Sequence, residues 1–153
     1  MAVYFLDSSA LVKRYVREPG SAHVLQLVDP TINLVVVAAI TAAEVVSALT
    51  RQARSRHIGT ADLAVVLSSF RSDFADEYQI VEIRSPVIER AMRLAEIHAL
   101  RGYDAVQLAA ALTIHIERLA VGQAPLTFIS ADVELNAAAS TEGLLVDDPN
   151  AHS

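Results

Sequence analysis

The chain has 153 residues, 53% hydrophobic and 20% charged, with 18 acidic against 12 basic side chains and a formal net charge of −6 at pH 7. That length suits one domain able to bury a real core unaided. The lack of cysteine excludes disulfides, Cys-ligated zinc, iron–sulfur, haem-thiolate and thiol-nucleophile chemistry, and the acidic balance argues at first against sequence-independent nucleic-acid binding, where clustered Lys and Arg supply most of the affinity.

Five apolar runs read as buried strands: Val3 to Leu6, Leu34 to Ala38, Gln79 to Ile83, Leu126 to Ile129 and Leu144 to Val146. Between them, helical periodicity covers Ser9 to Arg17, Ser21 to Asp29, Thr41 to His57, Thr60 to Tyr78, Ser85 to Leu100, Asp104 to Ala120 and Ala131 to Ala139. In the fourth of these, Leu63, Val66, Leu67 and Phe70 fall at i, i+3, i+4 and i+7, which is one helix face. Pro19-Gly20, Gly59, Pro86 and the stretch from Gly122 to Pro125 punctuate the pattern at its boundaries. Strands alternating with helices predict a three-layer α/β/α sandwich around a mainly parallel five-stranded sheet with right-handed crossovers. Residues 1–149 are expected to form that single domain and residues 150–153 a frayed tail. The longest uninterrupted apolar stretch, Leu34 to Ile40, is far short of the roughly 18 residues a membrane span needs. No signal-peptide layout precedes Asp7, so a cytoplasmic location is expected and no membrane partner.

Four acids fall at the starts of these helices. Asp7 ends the first strand, Glu44 lies in the first turn after the second, Asp104 opens the helix Asp104-Ala105-Val106-Gln107-Leu108, and Asp132 follows the fourth strand. Three of the four directly follow the carboxyl end of a parallel strand, the edge where open α/β sheets bind ligands. Acids there also complement the helix dipole. Thr41 with Glu44 makes a capping box, and Ser130 or Asp104 can serve as an N-cap. The apolar surroundings of Glu44 and Asp104 speak for more than capping, because no Lys or Arg lies within one turn C-terminal to either, and a buried charge needs a partner. If the four carboxylates meet, a cation must offset their repulsion. Hard oxygen ligands suit Mg²⁺ or Mn²⁺, and phosphodiester hydrolysis by metal-activated water is the matching chemistry.

Other acidic α/β classes fail on particular residues. Ser9 stands where a haloacid-dehalogenase-like phosphatase needs a second acid, and the only lysine, Lys13, is too early for a receiver domain. The five glycines form neither a P-loop nor a dinucleotide fingerprint. The five histidines include no i, i+4 pair that would mark a zinc helix and are read as surface or ordinary core. No nucleophile elbow is present. Ser8 and Ser9 read as caps, with a hydroxyl or backbone amide there able to hold water or phosphate beside Asp7. Among the basic residues, Arg14, two helical turns from Asp7, is the first choice for a phosphate-tracking rim. The apolar faces of the first four helices suggest a dimer or partner contact.

Taken together, Asp7-Ser8-Ser9-Ala10-Leu11-Val12, the lone Glu44 in its long helix, the run from Arg101 to Ala111 and the run from Phe128 to Leu135 resemble the PIN-domain ribonucleases. Within them the chain is similar to the VapC-type toxins of prokaryotic toxin–antitoxin pairs. The resemblance extends from Val3 to Pro149 and rests on order, spacing and length. It implies that Asp7, Glu44, Asp104 and Asp132 are the catalytic and metal-binding acids, and that Ser130 is the family's Ser or Thr hydroxyl near the site. Gly102-Tyr103 before the third acid departs from the more frequent Ala or Asp. The resemblance also implies an RNA substrate, Mg²⁺ or Mn²⁺, a homodimer, and inhibition by an antitoxin whose tail reaches the acidic site. The alternative expectations are a non-catalytic PIN-like module that binds RNA or a basic peptide, and a DNA-directed nuclease.

Overall fold

The computed structural model describes residues 1–57 and 59–152. Its strands are β1 (Ala2–Leu6), β2 (Asn33–Ala38), β3 (Gln79–Val81), β4 (Thr127–Ile129) and β5 (Leu145–Asp147). Its helices are α1 (Ser8–Leu11), α2 (Ser21–Leu27), α3 (Thr41–Ser55), α4 (Thr60–Asp76), α5 (Ser85–His98), α6 (Gly102–Ala120) and α7 (Val133–Thr141). Short 3₁₀ turns occupy Val12–Arg14 and Pro149–His152. Every observed strand pairing is parallel, in the order β3-β2-β1-β4-β5.

The pleat sorts the strand residues between two cores. In β1, Val3 and Phe5 join Val36, Ala38 and Phe128 under α5, α6 and α7. Tyr4 and Leu6 face the opposite way, with Val35, Val37 and Ile129 under α1 to α4. Both faces of the sheet are therefore covered, which explains why its strands read as continuous apolar runs. Phe5 and Phe128 are opposite one another in the β1–β4 register and stack with centroids 5.7 Å apart. Ala109, Ala110 and Ala111 are fully buried, and their small side chains let α6 lie close to both the sheet and α5.

Sheet order fixes where a ligand can sit. From β1 the chain builds outward through β2 to β3 with its helices on one face, then returns through α5 and α6 on the other face to place β4 beside β1. A constant right-handed crossover requires that change of face when the direction reverses. The loops after β1 and β4 consequently diverge, and the crevice between them is the topological switch point of the sheet.

Several local expectations change. The first helix is a single α-turn followed by a 3₁₀ turn, whose tighter winding moves Lys13 and Arg14 off the face that a continuous helix would give them. Ser153 lies outside the described residues; the others expected to fray, Asn150 to His152, instead form a turn with buried Pro149. Gly20 makes this possible. Its φ of +86° suits glycine, and a Cβ there would come within 2.6 Å of the Pro149 carbonyl oxygen. Exposed large apolar side chains concentrate on α5 and α6 (Ile88, Met92, Ile97, Ile116, Leu119) rather than on the first four helices, which contribute Leu25 and Val65. Among the described residues no helix is long and apolar enough to cross a membrane.

Candidate active site

Asp7 leaves β1 with its N–H donating to the Ile129 carbonyl at 3.1 Å, which ties the ends of β1 and β4 together. Extended backbone at Asp7 turns its side chain over the start of α1, where Oδ1 accepts the Ala10 N–H at 3.0 Å. The same oxygen accepts the Ser9 hydroxyl at 2.7 Å, while Oδ2 accepts the Ser130 hydroxyl at 2.7 Å. The residue is only 3% exposed. Burial pushes its carboxyl up, the Ser130, Ser9 and Ala10 donors pull it down, Asp104 adds a smaller upward push, and the balance stands at about 6.

Ser130 is fully buried at the end of β4 and organises the crevice. Besides donating to Asp7, its oxygen accepts the Asp132 N–H at 3.1 Å, and the Ser9 hydroxyl in turn accepts the Ala131 N–H at 2.9 Å. Asp132 caps α7 by accepting the Leu135 N–H at 3.0 Å. Capping thus falls to Asp7 and Asp132, not to Ser130 or Asp104, because α6 begins at Gly102 and leaves Asp104 inside its first turn. Burial, then Asp132, push the Asp104 carboxyl up; Arg101 opposes them, Glu44 and Glu134 add to the rise, and it reaches about 6.

Glu44 projects from the first turn of α3. Its Oε1 accepts from Gln107 Nε2 at 2.7 Å and its Oε2 accepts the Ser8 hydroxyl at 3.2 Å. The predicted capping box does not form: α3 has Ile40 as its N-cap, and the Thr41 hydroxyl accepts a second Gln107 N–H at 2.8 Å. Gln107 is 1% exposed and its Oε1 has no partner among the described residues. A glutamine three residues after Asp104, on the same face of an alanine-rich buried helix, was the sequence signal for this role.

Asp7, Glu44, Asp104 and Asp132 line one cleft of about 600 Å³, together with Ser8, Ser9, Arg51 and Tyr103. Among the described residues none of the four acids forms an ion pair. Nor, among the described residues, do any three of them have oxygens all within 4.8 Å of one another. An all-oxygen donor set with unrelieved like charges fits Mg²⁺ or Mn²⁺ by its chemistry. Arg14 lies elsewhere. Its guanidinium donates to Glu77 Oε2 and the Tyr78 hydroxyl at 2.8 Å each and sits 3.4 Å from Asp73, so its charge is spent within the fold. Arg51 lines the cleft in its place. Exposed Arg101, whose field reaches Asp104 and Asp132, donates to the Tyr103 hydroxyl at 2.7 Å.

This fold and crevice agree with the sequence comparison: residues 4–139 match the PIN domain family, and the chain belongs to it. It is 34% identical over 114 residues to Ribonuclease VapC45 of Mycobacterium tuberculosis, a match that covers 74% of this chain and 78% of that protein. Among solved structures it is similar to PAE2754 from Pyrobaculum aerophilum, with a TM-score of 0.65 at 20% identity over 99% of this chain and 86% of that one. It also resembles a chain of a toxin–antitoxin complex from Klebsiella pneumoniae, with a TM-score of 0.61 at 21% identity over 97% and 98% of the two chains.

Proposed function

We propose that this protein is a metal-dependent endoribonuclease, the toxin of a toxin–antitoxin pair, which hydrolyses RNA phosphodiester bonds at the acidic cleft. The observation that carries the reading is the gathering of four carboxylates from four separate chain segments into one cleft with no ion pair among them. Membership of the PIN family and likeness to a VapC ribonuclease support RNA as the substrate. Likeness to a chain of a toxin–antitoxin complex supports an antitoxin partner.

Asp7, Glu44, Asp104 and Asp132 would hold one or two Mg²⁺ or Mn²⁺ ions. A bound ion supplies Lewis acidity, lowering the pKa of water and neutralising charge on the phosphate. The protein's own contribution is alignment. Ser9, Ser130 and the Ala10 N–H fix both oxygens of Asp7, Gln107 and Ser8 fix both of Glu44, and the Leu135 N–H fixes Asp132. At the rim, Arg51 and Arg101 offer charge to the RNA backbone, and half-exposed Tyr103 offers a ring face on which an unpaired base can stack. The net charge of −6 no longer excludes RNA, since two divalent ions would cancel about four of the excess negative charges. The same acidity suits an antitoxin tail that carries Arg, and the exposed apolar side chains of α5 and α6 suit a homodimer in the cytoplasm.

The test is cleavage of structured RNAs by the purified protein with Mg²⁺ or Mn²⁺ and with chelator. Cleavage should require the divalent ion and vanish in D7N. Equal cleavage in chelator, or RNA binding without cleavage under either metal, overturns the reading, the second outcome in favour of a binding module.

A further inference from the structure

Three side chains that the cleavage site does not use meet beyond β5. His23 comes from α2, Asp147 from the end of β5, and His152 from the last 3₁₀ turn. His23 Nε2 lies 2.7 Å from Asp147 Oδ2, and His152 Nε2 lies 2.7 Å from Oδ1 of the same carboxylate. The two imidazoles stack at 3.6 Å between centroids with 11° between their planes. One ligand atom from each residue falls within 4.8 Å of both others, the one such grouping of three His, Asp or Glu side chains among the described residues.

We propose that His23, Asp147 and His152 form a second metal site, selective for a borderline transition-metal dication such as Zn²⁺, which fastens the C-terminal turn to α2. Two imidazole nitrogens and one carboxylate are a recurring three-ligand zinc set, with water in the fourth position. Nitrogen donors favour such ions over Mg²⁺, which prefers oxygen, so this site and the acidic cleft differ in the ion they select. Tetrahedral ligands at roughly 2.0–2.1 Å from zinc stand roughly 3.3 Å apart. Each N–O spacing of 2.7 Å therefore has to open by about 0.6 Å, and the two stacked rings have to tilt apart so that both Nε2 lone pairs point at one ion.

The backbone positions of the three ligands are already set. Asp147 is held in β5, where its carbonyl accepts the Ser130 N–H at 3.3 Å. His23 is held on α2, and His152 ends the turn that begins at buried Pro149, which seats against Gly20. His152 is the most exposed of the three, its side chain 42% accessible, which leaves an open side for the water ligand. Before the ion enters, each ring donates its Nε2–H to Asp147. Coordination through Nε2 requires that nitrogen to be free of its proton, which leaves for Nδ1 or for solvent as the ion enters. A stacked pair of imidazoles joined only through one carboxylate thereby becomes a cross-link between α2 and the turn.

The full chain, kept in millimolar Mg²⁺, is titrated with Zn²⁺ against a chromophoric chelator, and its melting temperature is followed in parallel. One Zn²⁺ per chain is expected, with a raised melting temperature. H23Q and H152Q should each weaken binding at least about tenfold and abolish the rise, while D7N binds like the parent. A second readout is Co²⁺, whose visible spectrum in the parent should be lost in H152Q. H152Q changes an exposed side chain near the end of the chain, and its melt in chelator shows whether it folds. Zn²⁺ binding unchanged in both His variants, binding lost only in D7N, or no stoichiometric binding by the parent each overturns the proposal and leaves the cluster a hydrogen-bonded staple.

Discussion

The charge of Arg14 is balanced within the fold. Its guanidinium pairs with Glu77 and Asp73, the Tyr15 hydroxyl donates to Asp73 at 2.8 Å, and the Tyr15 and Tyr78 hydroxyls share a 2.6 Å hydrogen bond. In the cleft at the carboxyl edge of the sheet, four carboxylates converge; hydroxyls, amides and one glutamine donate to Asp7, Glu44 and Asp132, and among the described residues none of the four forms an ion pair. Both regions withdraw charge from water. The first closes its electrostatics internally and leaves nothing for a ligand, whereas the second is orderly but electrically incomplete. Polar order alone does not mark a site; order without charge balance does.

Substitutions on the two sides should separate these cases. The largest effect is expected for D7N and D104N, which should lower RNA cleavage by at least about a hundredfold. The metal-free melting temperature should stay equal or rise, because burial and like-charge repulsion no longer act on that carboxylate. Cleavage assays beside melts in chelator check both halves. If activity falls only as the folded fraction falls, the two acids serve the fold and not the chemistry.

Arg14→Met tests the paired region. It should destabilise the fold by about 1–3 kcal/mol by stranding Asp73 and Glu77, with cleavage per folded molecule unchanged. Urea melts and initial rates would show this. Gln107→Leu should lower cleavage by about tenfold and raise the Mg²⁺ concentration needed for half-maximal rate, because Glu44 and Thr41 both lose their donor. A metal titration distinguishes this positioning loss from simple loss of fold.

The smallest effect concerns pH. Asp7 and Asp104 titrate near 6 in the fold, against roughly 3.9 in an unfolded chain. The folded state therefore takes up protons preferentially, and the metal-free protein should grow more stable as pH falls from about 7.5 towards 5. That stability is lost again as pH rises through 6. Asp147 behaves oppositely: burial raises it, but the His152 and His23 hydrogen bonds and charges outweigh burial and leave it below the usual carboxylate range. Its contribution is lost only below roughly pH 4, outside that window. Saturating Mg²⁺ should flatten the slope, a comparison made by melting with and without chelator.

Strand-end carboxylates were legible in the sequence because a parallel sheet leaves little choice about where its carboxyl edge lies. The strand runs and the chain order of the helices were legible for the same reason, since two-sided burial writes itself as continuous apolar segments. Arg14 was misread for a local reason: a 3₁₀ turn advances about 120° per residue rather than 100°, so over three residues its direction drifts by about 60° from the helical expectation. Gln107 was not singled out, and the bonds that carry Ser9 across to Ser130 and Ala131 were not foreseen, because these roles depend on contacts between elements. The pairing of His23 with Asp147 spans 124 residues, a relation that local periodicity does not contain. The tail was expected to fray because nothing in its own residues announces Gly20 as the seat for Pro149.

The hydrogen bond from Ser130 to Asp7 joins positions 123 residues apart, so the cleft cannot assemble before β4 has been made. A nascent chain that ends before β4 has made Asp7, Glu44 and Asp104, yet it lacks Ser130 and Asp132, and one edge of β1 has no neighbour. Such a chain has no complete cleft and carries an open strand edge prone to wrong pairing. On the proposed activity, a product truncated before β4 would be harmless to RNA, and no cutting could begin until Ser130 and Asp132 had been made.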